Sequence, residues 1–63
     1  MDHDEIITKL NYSRKVQNLT YQTIAKRTGY THVTIMRLFK GKGVGLFVFL
    51  DVLDAMGIEI KII

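Results

Sequence analysis

Apolar residues recur every three or four positions in four segments of this chain. The first, residues 4–17, has a sparse apolar stripe and begins with acidic residues, which suit the positive end of a helix dipole. The second and third, residues 21–27 and 32–40, are short and lie on either side of Gly29. The fourth, residues 45–56, is strongly apolar. This pattern predicts four helices.

The same spacing predicts which side chains form the core. The predicted inward-facing residues are Ile6, Ile7, Leu10, Val16, Ile24, Ala25, Ile35, Leu38, Phe39, Leu46, Phe49, Leu50, Leu53 and Met56. On the fourth helix, Asp51 and Asp54 lie opposite this face, and Phe47 falls on their side. An aromatic side chain on a polar face often marks a contact with a partner. We therefore expect Phe47 and Val48 to lie in a dimer interface; Phe47 folded back over the preceding loop is the alternative.

Small polar residues and glycine mark the ends of the two middle helices. Thr20 and Thr31 carry hydroxyls that can accept a hydrogen bond from the first turn, so we expect both to be N-caps. Gly29 follows the second helix, at the position that commonly adopts a left-handed conformation. Ala25 is small enough to let two helix axes cross closely. Together these residues predict two helices joined by a tight turn.

The last six residues, IEIKII, alternate isoleucine with charged residues, and this period of two predicts a strand over 58–63. A lone strand leaves backbone hydrogen-bonding groups unpaired. Pairing with the same strand of a second copy about a two-fold axis satisfies them. We therefore expect residues 1–57 to form the domain, with Ile58, Ile60 and Ile62 in a dimer interface; a frayed tail is the alternative.

Composition limits how the fold can be stabilised and indicates the cellular compartment in which the protein is expected. The chain has 63 residues, which suits one domain, and with no Cys it has neither disulfide nor thiolate–zinc staple. The N-terminus is acidic, unlike a secretory signal. The longest apolar run, VGLFVFL, is far short of the roughly 20 residues that a membrane helix needs. We expect a cytoplasmic protein that does not bind membranes.

Basic residues are concentrated in the middle of the chain. No Asp or Glu lies between Lys9 and Lys42, and all six acidic residues lie outside that span. The basic residues of the span are Lys9, Arg14, Lys15, Lys26, Arg27, Arg37, Lys40 and Lys42. Such an asymmetry indicates a surface for a polyanion, above all a nucleic acid. An ordinary solvated basic surface is the alternative.

No arrangement typical of an enzyme is present. There is no Cys, the two His are far apart in the sequence, and the acidic residues all lie outside the basic span. Gly41-Lys42-Gly43 is not a phosphate-binding loop, because no strand precedes it and the GxxxxGK[ST] pattern is absent. We expect no catalytic residues, no cofactor and no metal site.

Several of these residues occur at the same spacing as in a known protein family. In chain order they are Leu19-Thr20, Ile24-Ala25, Gly29-Tyr30, Ile35, Leu38-Phe39, Gly41-Lys42 and Met56-Gly57-Ile58. With them the chain resembles the Cro and phage-repressor class of helix-turn-helix proteins (lambda-repressor-like, XRE-type) over residues 6–58. The resemblance implies an all-α, four-helix domain whose helix 32–40 enters the major groove of DNA. One position departs: the family usually has Gln where this chain has Tyr21, and Gln22 follows.

The resemblance also implies which residues contact DNA. It presents His32, Val33 and Arg37 to base edges, and a guanidinium can bond guanine bidentately. The residues expected at phosphates are Tyr21, Gln22, Thr31, Thr34, Lys40 and Lys42. Plainer alternatives exist: Arg37 as a solvated cation, Thr31 as a cap alone. Arg14 either contacts a ligand or pairs inside the fold.

We therefore expect a sequence-specific double-stranded DNA-binding protein, a homodimeric transcriptional repressor that recognises a palindromic operator. The ending Met56-Gly57-Ile58 and its following Glu59 also resemble antitoxins of the HipB and HigA type. The alternative is thus an antitoxin whose main partner is a toxin protein and which also represses its own operon. Single-stranded nucleic-acid binding is a third possibility, which requires exposed aromatic residues for base stacking. Outside the predicted core, the basic span offers only Tyr12, Tyr21 and Tyr30 for this, and we expect Tyr30 to be buried.

Overall fold

The computed structural model describes residues 3–59, which contain four α-helices. They are α1 (His3–Val16), α2 (Tyr21–Thr28), α3 (His32–Phe39) and α4 (Leu46–Ala55). The all-helical expectation is confirmed for this part of the chain, and each helix lies within one or two residues of its predicted bounds.

The two middle helices begin at threonine N-caps, as predicted. The Thr20 hydroxyl accepts a hydrogen bond from the backbone N–H of Thr23 at 3.1 Å. The Thr31 hydroxyl accepts one from the N–H of Thr34 at 3.2 Å. Each cap satisfies a backbone donor that the first helical turn leaves unpaired, and is worth about 1 kcal/mol.

Each of the four described helices is followed, within two residues of its end, by a residue in the left-handed conformation with positive φ. These residues are Asn18, Gly29, Gly41 and Gly57. After α3, the N–H of Lys42 reaches back to the carbonyl of Arg37 at 2.9 Å, the six-to-one bond of a Schellman motif. Gly29 instead donates to Ala25 at 2.8 Å, the single bond of the simpler left-handed cap. Gly29 therefore ends α2 as predicted.

One apolar cluster joins the helices. Its buried members are Leu10, Leu19, Ile24, Ala25, Ile35, Leu38, Phe39, Val52, Leu53 and Met56. Three of them, Ile24 of α2, Ile35 of α3 and Val52 of α4, are completely buried. Helix α3 packs on α1 and α2, and α4 packs on α2. The predicted inner face of α3 is confirmed.

The structure corrects the predicted core on α1 and α4. Ile6 and Ile7 are only half-buried and lie outside the core cluster. Val16, Leu46 and Leu50 are 62%, 65% and 39% exposed, and none lies in the core. Val52, which was not predicted, is fully buried. Helix α4 is rotated about its axis relative to the prediction, because its buried residues are Val52 and Leu53. Val16 is the last residue of α1, where the chain already turns away.

Side-chain amides tie helices together through backbone carbonyls. Asn11 of α1 donates to the carbonyl of Phe39 at the end of α3, at 2.8 Å. Gln17 donates to the carbonyl of Met56 at 3.1 Å, which connects the end of α1 with the end of α4. These bonds hold helix ends that apolar packing alone would leave free to pivot.

The predicted strand falls mostly outside the described residues. Ile58 and Glu59 have no regular secondary structure. The N–H of Ile58 donates to the carbonyl of Leu53 at 2.9 Å, and its side chain is half-buried against the core. Two residues predicted for the dimer interface, Ile60 and Ile62, lie beyond the described part.

Gly29 and Gly43 provide a matched test of the α2 ending. Gly29→Ala should destabilise the protein by about 1 kcal/mol, because φ is 83°, a conformation that strains any residue with a Cβ. Gly43→Ala should leave stability unchanged or raise it by about 0.5 kcal/mol, since its φ lies outside that region. No atom lies within 4 Å of the Cβ added at either position. Equal midpoints of urea unfolding for the two variants would contradict the left-handed cap.

Candidate nucleic-acid interface

Helix α3 has one buried and one exposed side. Its inner side carries Ile35, Leu38 and Phe39. On the other side, His32, Val33 and Arg37 are accessible, and Val33 is 55% exposed although it is apolar and β-branched. All three residues predicted to contact bases therefore lie on the accessible side of one helix.

The exposed side of α3 carries positive charge only. The acidic residues of the described part lie at the start of α1, along α4 and at the last described position; they are Asp4, Glu5, Asp51, Asp54 and Glu59. Within residues 3–59, the side chains of Arg37, Lys40 and Lys42 make no hydrogen bond or ion pair. Their charges are therefore available to an anionic ligand.

The other residues predicted at phosphates differ in their surroundings. Gln22 is exposed on the first turn of α2. Thr31 and Thr34 have hydroxyls 3.0 Å apart that hydrogen-bond to each other, and Thr34 is half-buried. The capping role of Thr31 is thus confirmed. Its contact with phosphate stays a prediction.

Tyr21 and His32, the first residues of α2 and α3, meet at the surface. Their ring centroids are 5.9 Å apart and the planes cross at 63°, an edge-to-face pair. Tyr21 also stacks on Phe39, with centroids 5.6 Å apart and planes at 29°. The contact with His32 does not follow from the sequence pattern, because the two rings belong to different helices and no local period relates them.

Arg14 of α1 pairs inside the fold, which decides between the two alternatives left open for it. Its guanidinium carbon lies 4.6 Å from the centroid of the Tyr21 ring and 5.5 Å from that of Phe39. One guanidinium nitrogen donates to the carbonyl of Leu19 at 3.0 Å. Arg14 is half-buried, and its charge rests on aromatic faces rather than pointing into solvent.

The turn between α2 and α3 is tied to α4. The Tyr30 hydroxyl donates to the carboxylate of Asp51 at 2.5 Å. This bond raises the pKa of Tyr30 above its usual 10.0, with smaller contributions from partial loss of solvent and from the negative charge. At the end of α2, Arg27 donates to the carbonyl of Ala55 at 3.3 Å. Tyr30 is half-buried, whereas the sequence pattern predicts that it is buried.

An exposed apolar patch lies at the start of α4. Leu46, Phe47 and Leu50, hereafter the α4 patch, are 65%, 77% and 39% exposed. Val48, the other residue of this helix predicted at a dimer interface, is half-buried. Phe47 does not fold back over the preceding loop, so that alternative is wrong.

Comparison with protein-family models, with curated proteins and with solved structures finds no match for this chain. Over residues 3–59, no helix has the length and apolar character needed to cross a bilayer. In the same range, no three His, Asp or Glu side chains are grouped so as to hold a metal ion. The charge and exposure of α3 are therefore the observations that bear on its ligand.

Asp51→Asn should lower the pKa of Tyr30, because the amide removes both the charged acceptor and the negative charge that opposes phenolate formation. In the parent, the raised pKa means that this tie is fully present below pH 10.0 and is lost as pH rises through the folded-state value. A pH titration of the Tyr30 ring carbons by NMR measures the pKa of Tyr30 in both proteins. Asp54→Asn, on the same helix, is the control and should leave the pKa of Tyr30 unchanged.

Proposed function

We propose that this chain binds double-stranded DNA sequence-specifically, with the exposed side of α3 in the major groove. The observation that supports this proposal is the face of α3 itself. It is accessible, carries Arg37 and is followed by Lys40 and Lys42, and has no acidic residue. A helix is about 10–12 Å wide with its side chains, and the major groove is about 12 Å wide.

The arrangement of α2 and α3 also supports a helix-turn-helix. The two helices pack on each other and are separated by three residues, of which Gly29 is left-handed. Since α3 is buried along one side against α1 and α2, its other side can approach DNA without unfolding anything. In the proposed complex α2 lies across the DNA backbone, where Gln22 and Tyr21 face phosphates.

The proposed contacts divide into base and phosphate contacts. Arg37 reads a guanine through its O6 and N7 atoms, and Val33 packs on a thymine methyl. His32 donates to or accepts from a base edge. Lys40 and Lys42 bind phosphates, which contributes to affinity for any sequence.

We further propose that the chain acts as a homodimeric repressor at a palindromic operator. Two copies related by a two-fold axis would present two α3 helices about 34 Å apart, one turn of DNA. The α4 patch offers an apolar surface for the second copy, and the alternating sequence of residues 58–63 predicts a segment for strand pairing. A dimer covering such a site would exclude other proteins from the same DNA.

The α4 patch also favours the second candidate function, an antitoxin that binds a toxin protein. Exposed large apolar side chains beside Asp51 and Asp54 fit a partner with an apolar and basic surface. Purification of the chain from its own cells separates the two functions, because both can bind duplex DNA as a dimer. A second small protein that co-purifies with the chain supports the antitoxin, whereas a chain that purifies alone supports the repressor.

Arg37→Ala should cost roughly 1–3 kcal/mol at the selected site and relax one base position, because a bidentate base contact is lost. The parent's site is first selected from random duplex DNA, and binding is then titrated at several salt concentrations. If Arg37→Ala keeps the parent's ratio of cognate to random affinity, α3 is not the recognition helix.

Lys42→Ala is the matched control for Arg37→Ala, since it also removes one exposed cation. It should weaken cognate and random DNA about equally and reduce the slope of log K against log salt by about one. A change in base preference would place Lys42 at a base instead of a phosphate.

Phe47→Glu should convert the dimer to monomer while leaving the helical circular dichroism spectrum intact, because Phe47 is 77% exposed within its own chain. Tyr12→Glu, at a 72% exposed aromatic residue on α1, is the control and should remain dimeric. Sedimentation equilibrium measures both. A dimeric Phe47→Glu protein would exclude the α4 patch as the interface.

A further inference from the structure

We propose that a cleft between α1 and α4 binds a medium-chain fatty acid, whose alkyl chain lies along apolar walls and whose carboxylate pairs with Lys42. The cleft has a volume of about 400 Å³ and lies where the N-terminal halves of the two helices approach each other. Small-molecule pockets in proteins measure about 300–1,000 Å³. Within the described part, none of the three residues proposed at base edges lines this cleft.

The walls of the cleft are apolar side chains from three helices and the loop before α4. They are Ile6, Ile7, Leu38, Val44, Leu46 and Phe49. Leu38 belongs to the core cluster, whereas the other five are half-buried or, at Leu46, 65% exposed. Such walls give water few hydrogen-bond partners, and burying them against an apolar molecule is favourable.

The sequence pattern supports an apolar occupant. Ile6, Ile7, Leu46 and Phe49 lie at positions whose spacing predicts burial, yet none of the four is fully buried in the structure. Helix α1 packs on α3 and α4 packs on α2, so the cleft separates α1 from α4 at this end of the domain. An alkyl chain in the cleft would contact both helices and cover apolar surface that the fold leaves in water.

The charge at the cleft favours a carboxylate at one end of that chain. Lys42 also lines the cleft, and within residues 3–59 its side chain makes no hydrogen bond or ion pair. A lysine lays its alkyl stem along apolar surface and keeps its ammonium in water, which places the charge at the rim. Of the described residues that line the cleft, none is Asp or Glu.

His3 is the other basic side chain at the cleft. Its Nδ1 lies 3.8 Å from a carboxylate oxygen of Asp4, whose side chain is 95% exposed. Lys42 is therefore the cation that remains available to a ligand at neutral pH. A molecule that is apolar along its length and anionic at one end matches both the walls and this charge.

An NMR titration of the full-length chain with octanoate, 1-octanol and acetate tests the proposal. Octanoate should bind with a dissociation constant on the order of 0.1–1 mM and give NOEs to methyl groups of Ile7 and Leu46. The alcohol has the chain without the charge and should bind about three- to fivefold more weakly, and acetate should not bind. Unchanged methyl resonances at several times that octanoate concentration, equal binding of the alcohol, or equal shifts with acetate would overturn the proposal.

Two matched pairs of variants assign the two ends of the ligand. Lys42→Met keeps the stem and removes the ammonium, so it should weaken octanoate about three- to fivefold and leave 1-octanol unchanged. Lys40→Met removes an exposed cation that does not line the cleft and should match the parent. Leu46→Ser should weaken both ligands about fivefold, whereas Leu50→Ser, on the same helix outside the cleft, should weaken neither. Equal effects within either pair would contradict the site.

A second copy of the chain is the competing occupant, because Leu46 also belongs to the α4 patch. A mixture of isotope-labelled and unlabelled chains distinguishes the two by NOEs between copies. If cleft methyl groups show NOEs to the second copy that octanoate does not displace, the cleft is part of a dimer interface and the proposal is wrong.

Binding of octanoate has a consequence for DNA that rests on the proposed function. Since Lys42 is also a proposed phosphate contact, saturating octanoate should weaken DNA binding about fivefold and lower the salt slope by about one. Lys42→Met should bind DNA more weakly from the outset and no longer respond to octanoate. Unchanged DNA affinity of the parent at saturating octanoate would contradict the phosphate contact of Lys42. If the parent binds no DNA, the proposed function fails, and the NMR titration still decides the fatty-acid site.

Discussion

The structure depends on burying one side of two helices that are too short to persist alone. Helices α2 and α3 have eight residues each, and isolated helices of that length are not stable in water. Their side chains Ile24 and Ile35 are completely buried in one cluster with Val52 of α4. Helical structure and tertiary packing therefore form together in this domain, and the cluster is the condition for both.

The same constraint determines what α3 can offer a ligand. Since Ile35, Leu38 and Phe39 occupy the core side, the opposite side of the helix, with His32, Val33 and Arg37, faces water. Those positions carry Arg37 with no acidic neighbour on the helix, so its charge is not neutralised there. The acidic side chains lie elsewhere in the described part, and Asp51 is used to tie the turn through Tyr30.

The aromatic group around Tyr21 links the core to the proposed interface. Tyr21 stacks on Phe39 of the core and contacts His32 at the surface. The Arg14 guanidinium packs on the rings of both Tyr21 and Phe39. The carbonyl of Phe39 is also held by Asn11. Helix α1 thus does more than cover apolar surface, because its polar side chains help to determine where both ends of α3 lie. A change in the packing of Phe39 would therefore alter the position of His32, a proposed base contact.

The sequence by itself determined the four helices and their ends, since caps such as Thr20 and Gly29 act through hydrogen bonds within a few residues. It also placed His32 and Arg37 on the outer side of α3. Only the tertiary structure decided that Val52 rather than Leu50 faces the core, and that Tyr21 meets His32. Periodicity shows that a helix has an apolar face, but the rotation of that helix, and contacts between distant residues, depend on which neighbours pack against it.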